Sequence, residues 1–94
     1  MMSVEDIAGN MLDVNVYPNP ASYFITMQMQ LDKAENISYK IFNIYGQLVE
    51  DKNLKKQFGS FSHTIDFSSY VNGFYLLQIN YGNNVVSKKI IKHE

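Results

Sequence analysis

The feature that most constrains this chain is a two-residue hydrophobic period that recurs along it, with no sustained helical period in any segment. It is clearest from Ile25 through Met27, Met29 and Leu31, where Thr26, Gln28 and Gln30 fill the other face. Successive side chains on a strand point to opposite faces, so this alternation describes a strand with one face in a core and one in water. Ile37, Tyr39 and Ile41 repeat it against Ser38 and Lys40. The run continues through Phe42, Asn43, Ile44 and Tyr45 to Gly46, a place for positive φ in a tight turn. Leu48 and Val49 begin the return strand, Lys52 to Ser60 is polar and reads as an exposed connection, and Phe61, His63, Ile65 and Phe67 resume the alternation. After the turn-rich corner Ser68 to Gly73, the residues Tyr75, Leu77, Ile79 and Tyr81 form one face of the next strand. Gly82-Asn83-Asn84 closes a hairpin, and a last strand runs from Val85 to about Lys92.

Ahead of these, Val14, Val16 and Tyr17 make a short strand ended by Pro18 and Pro20. Proline lacks the N–H that a ladder needs, which places this strand at an edge. Residues 1–12 carry no pattern beyond a Gly9-Asn10 turn signal and read as a linker or expression remnant, with the domain spanning 13–94. About seven short strands punctuated by turns predict an all-β fold, an immunoglobulin-like antiparallel β-sandwich, with a small barrel as the structural alternative.

Composition narrows the function. A chain of 94 residues makes one small domain that buries roughly 60–65% of its unfolded surface, enough for a core and poor material for a deep cleft. A net charge of -1 and the lack of arginine remove the cationic face that nucleic acid requires. Cysteine is absent, so disulfides and thiolate metal sites are excluded and the apolar core must supply the stability. The opening residues lack a basic region and an apolar stretch of the secretory kind, and no run approaches the roughly 20 apolar residues of a transmembrane segment. If the domain leaves the cytoplasm, something upstream must send it.

Catalytic constellations are equally scarce. His63 stands between Ser62 and Asp66, but neighbouring strand residues face opposite sides, so Ser62 and His63 cannot form a local triad. His93 is near the end of the chain with no ligand-like partner spacing, and Asp13, Asp32, Asp51 and Asp66 are scattered singly. No catalytic residue, metal site or cofactor is predicted. The aromatics offer a sugar-stacking platform in principle, yet most sit in phase with the strand alternation that a core requires. A carbohydrate-binding or adhesive accessory module is therefore the alternative function, and a fibronectin-like structural spacer is another.

Several motifs in order carry a resemblance. They are Val16-Tyr17-Pro18-Asn19-Pro20-Ala21, Ile41-Phe42-Asn43-Ile44-Tyr45-Gly46, Ile65-Asp66-Phe67-Ser68 followed by Gly73-Phe74-Tyr75, and Lys88-Lys89-Ile90-Ile91-Lys92. Together they resemble the type A C-terminal sorting domains of the type IX (Por) secretion system of the Bacteroidota, from about Asp13 to the end. The resemblance implies a signal and not an enzyme. Cargo upstream of such a domain crosses the inner membrane by a Sec signal, the folded domain is recognised by type IX translocon components, and a sortase usually removes it. Cargo then passes from the periplasm to the outer-membrane surface or the extracellular medium.

Within that resemblance, Lys88, Lys89, Ile90, Ile91 and Lys92 are the expected recognition residues for translocon or sortase. The last strand is expected to be an exposed edge, open to strand addition by a partner or to an edge-strand dimer, with its lysines guarding it. Tyr17, Pro18, Asn19, Pro20, Gly46 and Gly73 are expected to set backbone geometry, and Tyr75 to be buried beside Leu77 and Ile79.

Overall fold

The computed structural model describes residues 14–94, so the expected linker over 1–12 and the boundary at Asp13 lie outside the described residues. The chain forms β1 (Val14–Tyr17), β2 (Phe24–Phe42), β3 (Leu48–Asp66), β4 (Gly73–Tyr81) and β5 (Asn84–Lys92). All pairings between strands are antiparallel and join one sheet. β2 and β3 make a long hairpin, and the other edge of β2 carries β1 along its first half and β4 along its second. β5 then lies outside β4.

The fold is all-β and antiparallel as expected, with five strands in place of about seven. The difference is a merger. The alternating runs at Ile25–Leu31 and Ile37–Ile41 are one strand, and the polar stretch from Lys52 to Ser60 that read as a connection is the middle of β3. There Glu35 pairs with Gln57 and Asn36 with Lys56 in a ribbon wetted on both faces, which leaves no apolar alternation to reveal it. Register shifts mark where the ribbon bends, between Leu31 and Glu35 and again between Ile37 and Ser38, where Lys55 takes φ 66°. Hydrogen bonding thus gives one continuous sheet, not the two separate sheets of the expected sandwich.

No helix covers this sheet among the described residues, so burial must come from the sheet folding over itself. Met27, Met29, Leu31 and Ile65 from one half share a core cluster with Ile37, Tyr39, Leu77, Ile79 and Ile90 from the other. Contacts across the bend agree: the Tyr39 and His63 rings approach to 5.8 Å, and Phe67 meets Tyr75 edge-on at 5.7 Å. The bend places the hairpin turn of β4 and β5 at one end of the molecule, with Val14 of β1 directed toward it along the β2 edge. The β2–β3 turn, the corner after β3 and the last residues of β5 gather at the other end.

Candidate functional site

At this second end the motifs meet. Tyr17-Pro18 and Asn19-Pro20 are both cis, and the segment they form lies along the outer edge of β5. Asn19 carries a donor and an acceptor on one planar amide, like the peptide group itself. Its Nδ2 donates to the Lys89 carbonyl at 3.0 Å and its Oδ1 accepts from the Ile91 N–H at 3.0 Å. Two residues on, the Ala21 N–H donates to the Ile91 carbonyl at 2.7 Å and the His93 N–H to the Ala21 carbonyl at 2.8 Å, a parallel bridge on a fully buried alanine. Elements 70 residues apart are thereby zipped together.

This geometry corrects the expectation of an open last strand. From the Lys89 carbonyl to the His93 N–H the outward backbone groups of β5 are occupied by Asn19 and Ala21, so strand addition by a partner or a second copy has no free edge there. It also adds to what was expected of Asn19, whose side chain, and not its backbone alone, holds the motif in place. Part of the signal was local: Pro18 and Pro20 have no N–H to give, and the side-chain amide of Asn19 between them carries both a donor and an acceptor, although nothing nearby names the strand it meets.

The five expected recognition residues divide by strand parity. Ile90 and Lys92 point inward and are buried, Lys88 is half-buried on the same side, and Lys89 and Ile91 point outward. Lys92 therefore does not guard an edge. Its ammonium donates to the Phe67 and Tyr70 carbonyls at 2.9 and 2.8 Å, with Glu94 at 3.5 Å. A buried cation survives only where its hydrogens are taken up, and these carbonyls take them up while fixing the corner between β3 and β4.

The same corner is held from beneath by phenols. Glu50 accepts from Tyr39 at 2.7 Å on one carboxylate oxygen and from Tyr70 at 2.5 Å on the other. Burial first, and then the bond to Glu50, push both phenols well above the usual tyrosine range, so they remain donors. Tyr75 is buried beside Leu77 and Ile79 as expected, and donates to the Val71 carbonyl at 2.6 Å. Gly46, at φ 80°, closes the β2–β3 turn, where Asn43 Oδ1 accepts from the Tyr45 and Gln47 N–H groups at 2.9 and 3.0 Å; Gly73 opens β4 at φ 150°. Between this turn and the corner lies an open cleft of about 540 Å³, flanked by Ile44, Tyr45, Val71 and Phe74. Chemically the end offers apolar side chains, carbonyls and the outward Lys89 side chain, with no group of three or more His, Cys, Asp or Glu placed to hold a metal ion among the described residues. No helix among the described residues is long and apolar enough to cross a membrane.

No curated protein matches the chain. The crystal structure of dimeric latent PorU from Porphyromonas gingivalis contains a similar fold, with a TM-score of 0.68 at 23% identity over 86% of this chain. The chain spans 9% of the length of that protein, and the likeness shows the fold alone. A family model for the secretion system C-terminal sorting domain of the Por type matches residues 15–93, which takes in nearly every element described above, and the chain belongs to that family.

Proposed function

We propose that this domain is the signal by which an upstream cargo protein is carried through the type IX secretion system across the outer membrane, after which a sortase removes it. The domain acts as a recognised surface and not as a catalyst. Translocon components and the sortase are its partners, the periplasm is its place of transit, and the outer-membrane surface or the medium is the destination of the cargo. The observation that supports this reading most is that the motifs of the family converge on one end of the fold through side-chain bonds linking residues 25 and 70 positions apart. A recognised group on a rigid scaffold of that kind can be read only once the domain has folded.

The test fuses the whole chain behind a Sec-exported fluorescent reporter in a Bacteroidota host with and without a working type IX translocon. Reporter at the surface or in the medium of the competent host alone supports the reading, and reporter held in the periplasm of both rejects it. A second reading, the carbohydrate-binding or adhesive module, draws on Tyr23, Phe24 and Tyr45, which are exposed where a core aromatic would be covered. Glycan-array binding by the purified chain, abolished by Tyr45→Ala, would favour it.

A further inference from the structure

We propose, resting on the sorting reading, that the partner recognises a composite surface made of Phe74, Lys89 and Ile91 on the outward face of β4 and β5 together with the Pro18-Asn19-Pro20 segment clasped beside them. The partner's own surface presents a carboxylate set among apolar groups.

The occupied edge directs recognition to side chains. A partner adding a strand over Lys89–His93 would first have to displace the Asn19 and Ala21 bonds. Of the basic terminal motif, parity leaves only Lys89 and Ile91 on the outward face. Their cross-strand neighbours are Leu76, opposite Lys89, and Phe74, opposite Ile91. Phe74, Leu76 and Ile91 are 49%, 40% and 36% exposed, adjacent on rigid strands, which is how a contact surface differs from scattered apolar residues.

The charge specifies the partner. Lys89 Nζ lies 5.4 Å from the centroid of the Phe74 ring. Among the described residues the only ion pair joins Lys92 to Glu94, so Lys89 has no carboxylate of its own. A cation resting on an aromatic face amid apolar side chains is complementary to an acid whose surroundings exclude water. Val14, where the described fold begins, lies opposite Met29 and toward the bend, at the other end of the molecule from this surface.

The full chain fused to the exported reporter tests the proposal in the translocon-competent host. Lys89→Glu and Ile91→Asp are expected to cut the exported fraction by about tenfold or more, the loss of one or two central contacts. Lys89→Gln should cut it by roughly threefold to tenfold, while Lys89→Arg and the ribbon control Lys56→Glu export like the parent. The purified Lys89 variants should melt within a few degrees of the parent, since Lys89 is exposed, and Ile91→Asp, at a site 36% exposed opposite Phe74, should melt lower while staying folded at the export temperature. Export of Lys89→Glu at the parental level overturns the composite surface. Parental export of Lys89→Gln with loss in Ile91→Asp overturns the acidic partner in favour of a wholly apolar one. A concentration-dependent dimer of the purified chain that Lys89→Glu and Ile91→Asp abolish would make the occupant a second copy and overturn the proposal. A parent chain that is itself not exported refutes the sorting reading and this inference with it, a result distinct from a parent that exports while its variants do so equally.

Discussion

Replacing Asn19 with alanine isolates the clasp from the core. The side chain makes two bonds, to the Lys89 carbonyl and the Ile91 N–H, both exposed. A net hydrogen bond contributes about 0.5–1.5 kcal/mol, and at an exposed site water replaces much of it, so the pair should contribute about 1–2 kcal/mol. For a domain of this size that corresponds to a drop in Tm of roughly 4–15 °C. The local consequence is sharper than the global one. The Ile91 N–H loses its only described acceptor, whereas the Ile79 N–H in central β4 depends on the ladder with its neighbours. Native-state hydrogen exchange should therefore show the Ile91 amide exchanging faster in Asn19→Ala by more than the global loss of stability accounts for. Asn19→Asp should be no better, because it keeps an acceptor for Ile91 but sets a carboxylate oxygen against the Lys89 carbonyl. If the Ile91 amide were equally protected in parent and Asn19→Ala, and Tm changed by less than a degree, the clasp would not exist in solution and the occupied-edge argument would fall with it.

Other perturbations probe the rest of the end. Lys92→Met should lower stability by about 1–3 kcal/mol in urea denaturation, since the Tyr70 carbonyl loses its donor while the Phe67 carbonyl keeps the Tyr70 N–H, and relief of ammonium desolvation limits the cost. Lys92→Glu, which sets a carboxylate against those carbonyls, should cost more than 3 kcal/mol, on the order of a broken buried charge pair. Tyr75→Phe should cost about 1 kcal/mol by losing the bond to the Val71 carbonyl, and Tyr75→Ala about 3–5 kcal/mol by emptying its place in the core; a Tyr75→Ala variant that melts like the parent would contradict the packing. Burial first, then the nearby Lys52, hold His63 below the ordinary imidazole value, with Glu50 opposing. The unfolded chain thus binds the proton at higher pH, and stability should fall as pH drops below about 6.5 toward the folded-state value. Urea midpoints at pH 7.5 and 5.5 should show a smaller loss in His63→Gln than in the parent.

Much of the fold is legible in the alternation of β2 and β4, where Ile25 to Leu31, Ile37 to Ile41 and Tyr75 to Tyr81 are buried in the phase the sequence states. β3 is legible in this way only at its far end, where Phe61, His63 and Ile65 face inward as the alternation states. Its middle is wet on both faces, its bulge at Leu54 and Lys55 shifts the inward phase from even to odd positions, and its inward Glu50 is polar because it serves two phenols. Lys92 teaches a different lesson. Parity with Ile90 already placed it on the buried face, but a lysine on a last strand reads more readily as an edge guard, and the carbonyls that receive it come from a corner more than twenty residues away. The Asn19 clasp is less legible again, since its partner strand lies 70 residues downstream and no local pattern names it.

These contacts decide how the terminal motif can be studied. Removing residues 90–94 would delete more than a recognised peptide. Ile90 would leave the core, Lys92 would release the corner between β3 and β4, and the Ile91 N–H that donates to Asn19 would be gone. The ends of β1 and β5 and the intervening corner hold one another, so a truncation that blocks export reports on folding and recognition together. Lys89 separates the two. Its backbone carbonyl belongs to the clasp and survives any substitution of the side chain, while its ammonium points outward, rests on the Phe74 ring and has no acid partner among the described residues, so replacing it leaves the clasp bonds in place. A charge reversal there that leaves Tm and Ile91 exchange untouched yet stops export would assign the defect to the partner, and one that shifts Ile91 exchange would return it to the fold.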